Sequence, residues 1–216
     1  MKILNSQFKK LLLVLPLVTL FFVSCEEVQE ASKYDNWQAR NEAFIDSLSR
    51  EPNVFVATEA DVDRMQVGEL FRIKDDYSST TGTELYIYCK KIVANPDGQR
   101  PLYTESVSSY YYGTLITGDR FDGNFIGYSA TDQQELDGED TEKQPTAFDS
   151  PTEFAVNGVI TGWTSVLQLM KTGERWMIYV PYQSAYGTSG STSGGIPGYS
   201  TLAFDIILDD IVTDED

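Results

Sequence analysis

The C-terminal half of the chain carries one clear helical stripe. Trp163, Val166, Leu167 and Met170 stand at i, i+3, i+4 and i+7 and so share a face. Lys171 falls where a cation suits the helix dipole and Gly173 suits the stop, so a helix is predicted over 162–173. Short apolar runs between turn residues surround it. Val54–Val56, Leu70–Ile73, Leu85–Val93, Ser106–Leu115 and Arg175–Pro181 read as strands. In a further strand Leu202, Phe204, Ile206 and Leu208 alternate with Ala203, Asp205, Ile207 and Asp209. Strands around a single short helix imply an α+β domain with one core.

The N-terminal part reads differently. Lys2, Lys9 and Lys10 precede a 13-residue, mostly apolar run, Leu11–Val23. That is shorter than the roughly 18–20 residues of a spanning helix. The run ends Phe22-Val23-Ser24-Cys25 and resembles a bacterial lipoprotein signal. The resemblance implies cleavage before Cys25, lipid on Cys25, and a location in the cell envelope. Glu26-Glu27 leaves both the periplasmic face and the outer-membrane surface open. Residues 1–24 are thus expected to be signal peptide, and 25–52 an acidic linker with a helix. In that helix Trp37, Phe44, Ile45 and Leu48 recur on one face, and Pro52 ends the segment. The stripe can dock onto the domain or pair two chains; docking, and a monomer, is the preferred reading. Residues 53–105 are expected to supply strands that pack on, or lead into, a domain at 106–212, with an acidic insertion at about 130–150. Asp132–Asp149 holds seven acids against one lysine, Thr188–Gly195 is only Ser, Thr and Gly, and both segments read as loose.

Composition excludes several chemistries. The chain has no histidine, which removes Ser-His-Asp and Cys-His nucleophile systems and His-based zinc sites. Of two cysteines, Cys89 lies in the apolar run Leu85-Tyr86-Ile87-Tyr88-Cys89 and reads as a buried strand thiol. No metal site and no cofactor are expected: the acidic segment lacks EF-hand spacing, and no phosphate-binding glycine loop follows a strand. Without Lys2, Lys9 and Lys10, 13 basic side chains face 33 acidic ones. So acidic a surface suits neither nucleic acid nor anionic lipid head groups, and membrane attachment would come from the lipid on Cys25.

Six pieces then occur in order: Tyr111-Tyr112-Gly113, Phe121-Asp122, Val159-Ile160-Thr161-Gly162-Trp163, Ala185-Tyr186-Gly187, Ile196-Pro197 and Thr201-Leu202-Ala203-Phe204. Together they resemble the pocket of the FKBP-type peptidyl-prolyl isomerases over about half the chain, Val107 to Ile211. The resemblance implies a curved antiparallel β-sheet wrapped around one short α-helix, here with an N-terminal helical extension. It implies isomerisation of X–Pro bonds in proline-containing polypeptides, without cofactor. It assigns Trp163 to the pocket floor, Phe121 and Asp122 to the wall aromatic and the pocket carboxylate, and Tyr186 to the hydroxyl that bonds a substrate carbonyl. Tyr111, Val159, Ile160, Ile196 and Phe204 would line the substrate site, with the backbone of 159–160 meeting the peptide.

Four features depart from the family pattern. Thr152 stands where an aromatic usually follows the proline, so one rim aromatic is missing; Phe125, Tyr128 and Phe148 are candidate replacements. The connection from Asp122 to Pro151 is long and acidic, Gly198 replaces a frequent proline, and Gly158 replaces a common acid. Beside an envelope isomerase for exported proteins stands a second reading, a peptide-binding chaperone module with little turnover.

Overall fold

The computed structural model describes residues 32–132 and 142–212. The expected signal peptide at 1–24, Cys25 and residues 133–141 of the acidic insertion lie outside the described residues. The chain divides into a unit ending at Asp35 and a second unit, Asn36–Asp216. The described part of the first is a turn, closed by the Asp35 N–H on the Ser32 carbonyl at 2.9 Å.

Helix α1 (Trp37–Ser49) follows Asn36, a left-handed residue at φ 53°. A short α2 (Glu59–Val62) starts from a capping box of Thr58 and Asp61. Seven strands follow: β1 (Leu70–Lys74), β2 (Tyr86–Val93), β3 (Ser106–Leu115), β4 (Arg120–Gly123), β5 (Thr152–Ala155), β6 (Arg175–Val180) and β7 (Leu202–Val212). Between β5 and β6 lies α3 (Thr161–Leu167). The strands form one antiparallel sheet in the order β1-β2-β6-β7-β3. Two short strands share the far edge of β3: β4 pairs with Tyr112–Thr114 and β5 with Ser106–Ser109.

Strand periodicity puts alternate residues on opposite faces of this sheet. One face carries Phe71, Ile73, Ile87, Cys89, Trp176, Ile178, Phe204 and Ile206; α3 packs there with Trp163, Val166 and Leu167, followed by Met170. The other carries Tyr88, Met177, Tyr179 and Ala203, against which α1 lays Phe44, Ile45 and Leu48. The Phe44 and Tyr179 rings lie 5.6 Å apart. The α1 stripe therefore docks within its own unit. Cys89 is the buried strand thiol expected, and burial pushes its pKa well up.

Three expectations are revised. Helix α3 ends at Leu167 instead of Gly173: the amides of Leu169 and Met170 both turn back to the Val166 carbonyl, and Gly173, at φ +80°, donates to Leu208. Met170 stays fully buried, so the stripe reported burial correctly while overstating helix length. Val54–Val56 is no strand. The Val54 amide turns back to the Glu51 carbonyl, and the segment meets the sheet in one parallel bridge, to Arg72, before the Thr58 cap turns the chain. Strands β1 and β2 join the same sheet, with β2 between β1 and β6. Thr188–Gly195 is ordered through its backbone: Ser191 pairs with Ile196, and Gly190 donates to the Tyr186 carbonyl. A Cβ at Gly190 would sit 2.2 Å from the Ile196 carbonyl oxygen, so glycine permits an approach that replaces apolar burial. The described flanks of the acidic insertion are tied down too. Lys143 pairs with Asp132 at 2.5 Å, and the Arg175 guanidinium donates to the carbonyls of Glu142 and Lys143.

Candidate active site

Helix α3 presents the floor of a cleft. Its first turn lacks a side-chain cap of its own. Support comes instead from Asp75, just after β1, whose carboxylate accepts the Thr161 hydroxyl at 2.9 Å and the Ser165 hydroxyl at 3.1 Å. Burial alone would raise the Asp75 carboxyl; the hydroxyls of Ser184 and Thr161 and the amides of Tyr77 and Ser78 outweigh it and hold its pKa low. Gly162 lets the helix sit directly on the sheet, since a Cβ there would lie 2.4 Å from Val180 Cγ1. Trp163, 4% exposed, then faces the cleft with its indole at the bottom of an aromatic cage.

Every close ring contact in this cage is edge-to-face, the arrangement aromatic quadrupoles favour. Trp163 meets Tyr111 at 5.5 Å, Phe154 at 5.5 Å and Phe204 at 5.2 Å. Tyr111 also meets Phe154, and Phe204 meets Phe121, each at 5.5 Å. The two last rings close over Gly113: a Cβ there would lie 2.8 Å from Phe121 and 3.0 Å from Phe204. That is the physical content of the Tyr111-Tyr112-Gly113 motif.

Val159 and Ile160, half-buried, form the lip before α3. The polar groups of the cleft stand at its rim. Asp122 is exposed, with its carboxylate accepting the Gly123 amide at 2.8 Å. Arg120 braces the same turn from the Asp122 and Gly123 carbonyls while lying over the Tyr112 ring. Tyr186, 43% exposed, comes from the loop between β6 and β7. Burial, then the charge and hydrogen bond of Asp122, push the Tyr111 phenol up to about 12. Burial and the same carboxylate raise Tyr186. These rims enclose a cleft of about 420 Å³.

The pairing predicts a titration. In Asp122→Ala the Tyr111 phenol loses a nearby negative charge and an acceptor, so its pKa should fall from about 12. Burial, the larger cause, remains, so it should stay above the ordinary tyrosine value of about 10. Tyrosine ¹³Cζ shifts against pH measure this; an unmoved Tyr111 midpoint would separate the two groups.

Eight of the nine proposed pocket residues line this cleft: Tyr111, Phe121, Asp122, Val159, Ile160, Trp163, Tyr186 and Phe204. Ile196 does not. It is 5% exposed, packed in the core under the loop and paired with Ser191. The wall residue that motif reading missed is Phe154. Its strand has four residues, too few for periodicity to register, though exposed Glu153 beside it hints at the inward side. None of the candidate rim replacements reaches the cleft. Phe125 and Tyr128 are buried against the Arg175 guanidinium, and Phe148 is fully turned to solvent. Among the described residues no His/Cys/Asp/Glu group is arranged to hold a metal ion, and no helix is long and apolar enough to cross a membrane.

Comparison with known proteins gives the same direction. The family model of FKBP-type peptidyl-prolyl cis-trans isomerases matches residues 98–209. The chain is 33% identical over 122 residues to the FKBP-type 22 kDa peptidyl-prolyl cis-trans isomerase of Escherichia coli, covering 56% of this chain and 48% of that one. It is 51% identical over 69 residues to the macrophage infectivity potentiator of Trypanosoma cruzi, covering 29% and 35%. The chain thus spans half or less of the length of these relatives. Among solved structures, FkpA from Escherichia coli superposes with a TM-score of 0.52 at 26% identity, over 85% of this chain and 64% of that one. A Pseudomonas syringae peptidyl-prolyl isomerase superposes at 0.53, over 85% and 98%; at 21% identity it speaks to the fold alone. With its sheet, its helix and the matched stretch across half its length, the chain belongs to the FKBP-type peptidyl-prolyl cis-trans isomerase family.

Proposed function

We propose that the chain catalyses cis–trans isomerisation of X–Pro bonds in exported polypeptides. The observation that carries this reading is the aromatic cage around Trp163, with the polar groups Asp122 and Tyr186 at its rim. Rotation about the peptide C–N bond meets a barrier of about 18–20 kcal/mol because resonance makes the planar amide polar. No bond breaks and no proton moves, so a chain without histidine loses nothing by lacking one. The proline ring would lie on the Trp163 indole among Tyr111, Phe121, Phe154 and Phe204. There the planar, charge-separated amide loses hydration and the twisted amide is favoured, which is differential binding of the transition state. The Tyr186 hydroxyl would donate to a substrate carbonyl, and Asp122 would orient Tyr111 and the bound amide. The test is proline-limited refolding of a model substrate. Asp122→Ala and Tyr186→Phe should each lower turnover roughly ten- to hundredfold without unfolding the chain, Tyr186→Phe being the milder. Wild-type turnover in both variants would mean that hydrophobic burial alone does the work.

The envelope assignment rests on residues 1–27. A leader over 1–24, cleavage before Cys25 and lipid on Cys25 would tether the chain by acyl burial at about 0.8 kcal/mol per methylene. Cys25→Ser should leave the protein unprocessed or free it from membranes; normal processing and membrane retention of that variant would remove the anchor. The monomer reading draws support from α1, whose apolar stripe is spent on its own sheet. One feature favours the chaperone-module reading: no aromatic stands at Thr152, and neither Phe125, Tyr128 nor Phe148 takes its place.

A further inference from the structure

The loop that carries Tyr186 runs from Pro181 to Thr201 between the paired residues Val180 and Leu202. Its turns are held internally: Tyr199 donates to the Gly187 carbonyl at 3.0 Å and Gly187 to the Tyr182 carbonyl at 2.8 Å. On the α3 side the Thr161 hydroxyl reaches the Ser184 carbonyl at 3.2 Å. The stem is also gripped by the first turns of α1.

Two α1 side chains make this grip. Trp37 Nε1 donates to Ser200 Oγ at 3.0 Å, and that hydroxyl donates onward to the Pro197 carbonyl at 2.6 Å. Asn41 is fully buried. Its Oδ1 accepts the Thr201 amide at 2.7 Å, and its Nδ2 donates to the Trp37 carbonyl at 2.8 Å. Thr201 is itself 1% exposed, so Asn41 supplies a buried backbone amide with its acceptor. A buried asparagine is a poor choice for covering a sheet face, where leucine would do better. It is a good choice for fixing one backbone amide in one place. Trp37 and Asn41 also lie outside the 98–209 stretch that the family model matches, so this grip is an addition upstream of the matched domain.

We propose that Trp37 and Asn41 are positioning residues for Tyr186: by holding the loop stem, α1 sets where the phenol stands over the cleft. The proposal rests on the reading of Tyr186 as the hydroxyl that bonds the substrate carbonyl. Misplacing a reacting group by on the order of 1 Å can cost on the order of a hundredfold in rate, so a shift at the stem reaches turnover.

The experiment is a double-mutant cycle in the full-length protein. Trp37→Phe keeps a ring and removes the donor; Asn41→Ala and Ser200→Ala remove the other contacts. Each is made alone and in a Tyr186→Phe background. In the wild-type background kcat/KM should fall about three- to tenfold while the melting temperature moves little for Trp37→Phe and Ser200→Ala. In the Tyr186→Phe background the same changes should cost less than about twofold, because coupled residues are non-additive. Amide hydrogen exchange at Gly187, Gly190 and Tyr199 should quicken about tenfold or more while β3 is unchanged. Equal losses in both backgrounds, or loop exchange at the wild-type rate, would overturn the proposal. Absence of turnover in the wild type would remove the isomerase reading by itself. The positioning role would then be decided by loop exchange and by the same cycle run on affinity for a proline-containing peptide, read by Trp163 fluorescence.

Discussion

Trp163→Ala is expected to cost both turnover and fold. The indole is 4% exposed, closes the bottom of the cage and starts the stripe that buries α3. Removing a buried aromatic of this size costs about 3–5 kcal/mol. Against a typical total of roughly 5–15 kcal/mol, that is a large share. For a unit of this size it should lower the melting temperature by roughly 10 °C. Turnover per folded molecule should drop further than in Tyr186→Phe, since the surface on which the proline ring lies is gone. Trp163→Phe separates the two effects: it keeps much of the burial, so most stability should return while turnover stays reduced. Full activity of the alanine variant with an unchanged melting temperature would contradict both roles.

Asp205→Ala should be comparably destabilising and yet spare the site. Asp205 accepts Arg175 Nε at 2.8 Å and Nη2 at 2.6 Å, and the Tyr128 amide at 2.7 Å. Arg175 and Asp205 are 1% and 0% exposed. Deleting the carboxylate leaves a guanidinium in the interior of the sheet, a situation that costs about 3–5 kcal/mol. Because strand neighbours alternate, Asp205 points away from the face on which Phe204 lines the cleft. Thermal denaturation should therefore show a large loss, with turnover near wild type at temperatures where the variant is folded. A loss below about 1 kcal/mol would mean that water reaches the pair. Replacing both partners by apolar residues should be milder than either single change.

The two cases divide what could be read from the chain. Trp163 was legible twice, as the first residue of a helical stripe and as part of an ordered motif. Tyr111, Phe121, Asp122 and Tyr186 were legible through order and spacing: Asp122 and Tyr186 each precede a glycine, and Tyr111 and Phe121 each stand two residues before one. Arg175–Asp205 and Lys91–Glu174 were not. Their partners lie 30 and 83 residues apart, and only the sheet register brings them together. Phe154 escaped because a four-residue strand carries no periodicity. Ile196 was assigned to the cleft by its place beside Pro197, whereas loop closure on Ser191 turns it into the core. The order in Thr188–Gly195 was hidden by its composition, since backbone contacts made possible by glycine leave no apolar signature. The place of β1 and β2 in the sheet is a matter of topology, which alternation of residues does not carry.

The central claim is that the aromatic cleft over Trp163 turns over prolyl bonds, and proline-limited refolding tests it most directly. Uncatalysed isomerisation takes tens of seconds, so acceleration is easily resolved. The slow refolding phase should speed up in proportion to added wild-type protein, fall back with Tyr186→Phe and Asp122→Ala, and lose nearly all acceleration with Trp163→Ala under conditions where that variant is folded. A slow phase that wild-type protein leaves unchanged, while a proline-containing peptide still quenches or shifts Trp163 fluorescence, would contradict the account and make the cleft a binding site without turnover.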